Sequence, residues 1–407
     1  MHTSYTIHAV SCILAAMIVA KSAAQDVQSG SLESFHQSLT TIDTHVDIPS
    51  NLGSSDADPG KPSPMQYDLN KMQRGYIDGA FFIVYVPQGE LTESGYQTAY
   101  QKASLKFDGI EKMVARNPER IGMALSSKMF RRNLAAGRHS AMIGVENAYP
   151  LGADLERLDE FYARGARYIS ITHEGNNQLG ASSKPGKSDP PEDTGLSPLG
   201  QELIIRLNDL GVMIDVSHAS KKSTLQATKL SRAPVIASHS GAAAVFNHSR
   251  NLSDDEIESI ANTGGIIQVV AFDRYMREIS ADNQARIYAL LQAAGYDGPG
   301  WFGRVTQSEI AQLRDQVNAL DTTWPRATVA DLVDHIDHIV TLVGVDHVGL
   351  ASDFGGGGGV KGWDHAGDSA TVTEELVNRG YSKGDIQKIW GDNLLRVWQE
   401  VELRATQ

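Results

Sequence analysis

TIDTHVDI (41–48) is too short for an isolated helix, is rich in β-formers, and carries two side chains able to hold a metal, His45 and Asp47. Strand alternation puts both on one face, within reach of one ion. Four more runs follow the same plan. MIGVEN (142–147) closes on Glu146, RYISITH (167–173) on His173, VMIDVSH (212–218) on His218 and PVIASH (234–239) on His239. HVGLASDF (347–354) likewise carries Asp353 near its end. Delivering His, Asp or Glu at the carboxyl ends of several strands is how a parallel barrel or sheet builds a site.

Two further strand-like runs, GAFFIVYV (79–86) and GGIIQVV (264–270), bring the number to eight. Helix-compatible stretches separate them at 96–118, 154–166, 196–211, 220–230 and 253–264, with Ser197 as a cap and Gly211 as a stop. Strands alternating with helices predict a (β/α)8 barrel with its site at the carboxyl-terminal face; a doubly wound open sheet is the runner-up. Residues 174–196 form a polar loop and 272–330 a mostly helical excursion, two insertions expected at that same face. Gly355 to Gly359 reads as a flexible turn, or else as a loop that needs close backbone approach to a ligand. His335 and His338 read as a partly exposed helix face with Asp neighbours.

The chain of 407 residues is 41% hydrophobic and 21% charged, ordinary for a globular protein. Its net charge of −13 argues against binding nucleic acid or docking on anionic membranes. The apolar stretch 8–20, followed by Ser22 and Ala24, predicts a secretory signal over 1–24, leaving 25–407 as one domain. The expected location is therefore periplasmic or secreted, with no stable membrane anchor, since the carboxyl end is polar. The single cysteine, Cys12, lies in that leader, so the mature chain would carry no disulfide.

His45, Asp47, Glu146, His218 and His239 form a nitrogen-and-oxygen donor set that suits zinc. Five ligands exceed the need of one open ion and fit two ions sharing a carboxylate, which together can make a bridging hydroxide and polarise a carbonyl. Asp353 is the best candidate proton carrier, the alternative being a carboxylate that orients a ligand histidine. His173 could bind metal or hydrogen-bond the substrate. Arg250 could clamp a substrate carboxylate or lie on the surface.

Thr44-His45-Val46-Asp47, Gly144-Val145-Glu146-Asn147, Ser170-Ile171-Thr172-His173, Ile214 to His218, Val235 to Ser240 and Gly391 to Val397 together resemble the membrane (renal) dipeptidase family of zinc peptidases. The resemblance implies two zinc ions and hydrolysis of free dipeptides. It implies that Glu146 bridges a His45–Asp47 ion and a His218–His239 ion, that His173 contacts substrate, and that Asp353 moves the proton. It also implies that Arg250, with Asn251, binds the substrate carboxylate. Animal members are disulfide-linked and lipid-anchored, and this chain lacks the cysteines and the tail, which speaks against membrane attachment and a disulfide-linked dimer but not against the chemistry or a homodimer. The competing expectations are another binuclear barrel amidohydrolase acting on a cyclic amide or lactone, and a non-catalytic binding protein. The expected substrates extend to dipeptides with a D-residue at the carboxyl-terminal position.

Overall fold

All eight expected strands are present, and all run parallel. The computed structural model describes residues 32–55, 57–278, 280–294, 307–322 and 325–406; the leader expected over 1–24 lies outside them. In chain order the strands are β1 (Ile42–Asp47), β2 (Gly79–Tyr85), β3 (Ile121–Met123), β4 (His139–Glu146), β5 (Ala166–Ser170), β6 (Met213–Asp215), β7 (Val235–Ala242), β8 (Asn251–Leu252), β9 (Ile266–Val270) and β10 (Val348–Ala351). The barrel order is β1-β2-β4-β5-β6-β7-β9-β10. The short β3 and β8, not foreseen from the sequence, add to β4 and β7. An open sheet is ruled out by the seam between β1 and β10: Asp47 donates its amide to the Phe354 carbonyl at 2.8 Å and Asp353 donates to His45 at 3.0 Å.

Adjacent strand residues enter opposite cores, as a period of two requires. Phe81, Met142, Tyr168, Met213 and Ile236 join an inner cluster, closed by Leu394, Leu395 and Trp398 of the carboxyl-terminal helix Asn393–Leu403. Their neighbours Phe82, Ile143, Ile169, Ile214 and Ala237 face the surrounding helices. The far end of the barrel is therefore plugged with apolar side chains, and only the carboxyl ends of the strands are left for polar chemistry.

The helices fall where capping residues place them. Pro198–Leu210 starts on Ser197, whose hydroxyl accepts the Gly200 amide, and stops at Gly211 in the left-handed region, φ 68°. Asp254–Asn262 opens with a Ser253–Glu256 capping box. The stretch 154–166 forms only the short helix Leu158–Ala163. Within the 272–330 excursion the described helices are Asp273–Met276, Ala281–Ala293 and Gln307–Asn318, with Val329–Val343 leading to β10. Among the described residues, no helix is long and apolar enough to cross a membrane.

The expectation for His335 is overturned. It is only 1% exposed, because its ring packs behind β7 and its Nδ1 accepts the Ala242 amide at 2.9 Å. Burial pushes its pKa down to about 4, so it stays neutral. His338 is half-buried and pairs with Asp254 at 2.7 Å.

Candidate metal centre

Bulges re-aim the first and sixth barrel strands at the site. The register slips between Asp43 and Val46 on β1, and between Ala237 and Ser240 on β7. Strict alternation from Ile42 would send His45 outward; the slip returns His45 and Asp47 to the barrel mouth while Val46 joins the outer core. On β7 the slip lets consecutive residues, Ser238 and His239, take part in one buried network. Three of the non-glycine residues with positive φ also lie here: Asn147 at 71°, His218 at 67° and Asp353 at 55°. Such backbone strain concentrates where function over-determines the chain.

Glu146 stands at the centre. Its Oε1 lies 3.0 Å from His218 Nε2 and 3.3 Å from His239 Nε2, while its Oε2 faces His45 Nε2 at 3.7 Å. His45 Nε2 is in turn 3.6 Å from Asp47 Oδ2. Three groups of candidate ligands have donor atoms within 4.8 Å of one another: His45–Glu146–His239, Glu146–His173–His218 and His45–Asp47–Asp353. The donors fit a cation. His45 Nε2 is buried without a hydrogen-bond partner among the described residues, and the Nε2 atoms of His218 and His239 face each other at 3.0 Å.

Electrostatics point the same way. Burial alone would raise Glu146, but the charges of His45 and His173 and the bonds from His218 and His239 hold it well below the usual carboxylate range. Burial, then the charge of Arg250, keeps His218 far below the ordinary histidine value; burial, then His45, does so for His239. Both are thus neutral imidazoles with a lone pair to give. Burial opposes protonation of His45, yet Glu146 and Asp47 overcome it and drive its pKa well up. Burial, aided by the charges of Asp47 and Glu146, likewise drives Asp353 well up. A buried cluster richer in carboxylate than in fixed cations is a place for metal.

The other candidate residues are also gathered here, with one qualification. His173 places Nε2 3.9 Å from Glu146 Oε1 and its ring, tilted by 37°, 4.2 Å from that of His218, with the Tyr85 hydroxyl 3.4 Å from its Nδ1. Arg250 is not a surface arginine: it is 3% exposed, donates from Nη2 to the His239 carbonyl at 2.9 Å, and lies 5.4 Å above the Tyr275 ring. Asn251 spends its amide nitrogen on the carbonyls of Phe246 and Tyr275, at 2.8 and 2.7 Å, which fixes the segment carrying Arg250. A cavity of about 390 Å³ opens beside His218 and Arg250, walled by Ser182, Pro190 and Asp193 of the 174–196 loop.

The glycine run is not a flexible turn. A Cβ on Gly356 would lie 2.2 Å from Asp47 Oδ2 and 2.3 Å from Asp353 Oδ1, so the backbone is pressed onto both carboxylates. Gln66 ties the loop down, accepting from the Gly355 amide at 3.1 Å and donating to the Gly358 carbonyl at 2.8 Å. The close approach is to the site's own carboxylates. Gln66, Tyr85 and Tyr168 were not singled out from the sequence, since each looks like any core or strand residue until its partner is known.

A parallel barrel that gathers imidazoles and carboxylates at its carboxyl-terminal mouth defines a metallohydrolase. The family model described as membrane dipeptidase (peptidase family M19) matches residues 31–407, and the chain belongs to that family. It is a metallo-dipeptidase. The protein is 28% identical to the dipeptidase aclJ of Aspergillus oryzae over 342 residues, 83% of this chain and 70% of that protein. It is also 28% identical to the uncharacterized dipeptidase C965.12 of Schizosaccharomyces pombe over 387 residues, 90% of this chain and 81% of that one. Among solved structures, the probable dipeptidase PvdM from Pseudomonas aeruginosa superposes with a TM-score of 0.80 at 36% identity, covering 95% of this chain and all (100%) of that one. A metallo peptidase from Rhodobacter sphaeroides, liganded with a phosphinate mimic of the dipeptide L-Ala-D-Ala, shares the fold with a TM-score of 0.70 at 21% identity, covering 89% of this chain and 99% of that one.

Proposed function

We propose that the protein hydrolyses the peptide bond of free dipeptides, using about two zinc ions per chain. The observation that carries this reading is the divided carboxylate of Glu146, one oxygen toward His218 and His239 and the other toward His45. His45 and Asp47 would hold one ion, His218 and His239 the other, with Glu146 between them. When bound, the ions would supply Lewis-acid activation of water and of the scissile carbonyl at neutral pH. Asp353 takes a proton at its carboxylate and delivers it to the leaving amine. His173 hydrogen-bonds the carbonyl oxygen as charge develops there. Dipeptides ending in a D-residue are included among the proposed substrates, the Rhodobacter metallo peptidase carrying a mimic of such a ligand.

Arg250 grips the free carboxylate in a bidentate fork, its Nε having no partner among the described residues. Arg250→Lys removes the fork, and amidating the substrate removes the charge it reads. Each change is expected to lower kcat/KM roughly ten- to a hundred-fold, about the worth of a charged hydrogen bond. The two together should cost far less than their product, because they break one interaction. Losses that simply multiply would release Arg250 from this role.

We also propose export, with cleavage before Gln25. Mass spectrometry of secreted or periplasmic protein is expected to find Gln25 as the first residue; an intact Met1 on the functional form would count against it.

A further inference from the structure

Below the metal-facing atoms, two histidines meet side chains that the proposed reaction does not use. The Tyr168 hydroxyl lies 3.0 Å from the Thr44 carbonyl and 3.0 Å from His45 Nδ1. It has one proton, and the carbonyl can only accept. Both contacts are satisfied only if the hydroxyl donates to Thr44 and accepts from His45 Nδ1–H. That assignment keeps a proton on Nδ1 and leaves Nε2, toward Glu146 and Asp47, as the ring atom that would bind a cation. On the other side, Ser238 Oγ lies 2.6 Å from Asp215 Oδ2 and 2.8 Å from His239 Nδ1. Asp215 Oδ1 is already filled by the amides of Ser217 and Ser238, at 2.9 and 2.8 Å, so Oδ2 takes the serine proton. Ser238 then accepts from His239 Nδ1–H, and the lone pair of His239 falls on Nε2.

We infer that Tyr168 and Ser238 are positioning residues, each locking the tautomer of one metal-ligating histidine and each serving a different ion. The inference rests on the binuclear reading above. Gly144 belongs to the same device: a Cβ there would lie 2.2 Å from Tyr168 Cζ, so only glycine leaves room for the ring. His218 has no counterpart, its Nδ1 lacking a partner among the described residues. Its backbone is held instead, the carbonyl accepting from the Ser183 amide at 2.8 Å and from Thr172 Oγ1 at 3.1 Å.

Chelator competition on the zinc-loaded protein tests this. Tyr168→Phe, which keeps the ring, should weaken one of two ions roughly 10–100-fold and leave the other unchanged. Ser238→Ala should do the same to the other ion, and the two losses should appear side by side in the double variant. Ser238→Thr keeps the hydroxyl and should restore affinity. Gly144→Ala, by displacing the ring, should reproduce Tyr168→Phe. Metal-free Tm of Tyr168→Phe, Ser238→Ala and Ser238→Thr should fall by only about a few degrees, the worth of one buried hydrogen bond, so that the loss of metal affinity is the larger effect. Both ions held at wild-type affinity in Tyr168→Phe and Ser238→Ala, or both variants weakening the same ion, would overturn the inference alone. A wild type that binds a single ion would overturn the binuclear reading and this inference with it.

Discussion

Glu146→Gln is expected to strip the protein of metal and turnover together. A carboxylate can present one oxygen to each of two cations, and Glu146 already faces His218 and His239 with one oxygen and His45 with the other. An amide has one acceptor and two N–H donors, so one side of the site would meet a hydrogen instead of a lone pair. The substitution also removes the negative charge that holds the cluster against a pair of cations. Losing several kcal/mol of charge stabilisation corresponds to about a 10³-fold fall in kcat/KM. Elemental analysis beside dipeptide kinetics checks both halves. Full zinc and full activity in this variant would remove Glu146 from the bridging position.

Asp353→Asn separates proton transfer from metal binding. Asp353 sits at the end of β10, buried against Asp47 and Glu146 and clamped by Gly356, which fits a group that takes a proton and passes it on. Its carboxylate is also close enough to His45 and Asp47 to serve as a ligand. If it is the proton carrier, the variant should keep its ions and its KM while kcat falls roughly 10²–10⁴-fold. A parallel loss of metal would make it a ligand, or a residue that orients one.

Much of this was legible from local pattern. The eight strands, the helix cap at Ser197 and stop at Gly211, and the strand-end positions of His45, Glu146, His218, His239 and Asp353 follow from short-range signals: β-formers, capping residues, and polar residues ending apolar runs. Three kinds of feature were not legible, for physical reasons. The bulges on β1 and β7 arise from strand pairing, and alternation within one strand gives no hint that His45 and Val46 exchange faces. The contacts of Tyr168 and Ser238 depend on which side chains converge inside the barrel, as Gly144 under the Tyr168 ring illustrates. His335 and the glycine run misled because helix neighbours and composition speak for exposure and flexibility, while tertiary packing buries the one and wedges the other against Asp47 and Asp353. The same limit explains the missed β3 and β8, strands of 3 and 2 residues that exist only beside their partners.

Titrating zinc back into chelator-stripped protein, while following hydrolysis of an unblocked dipeptide, measures the metal dependence directly. Activity should be absent without metal and rise to a plateau at about two equivalents per chain. Full turnover by the metal-free protein, or a plateau reached at one equivalent with no further gain, would contradict a mechanism built on two ions joined through Glu146.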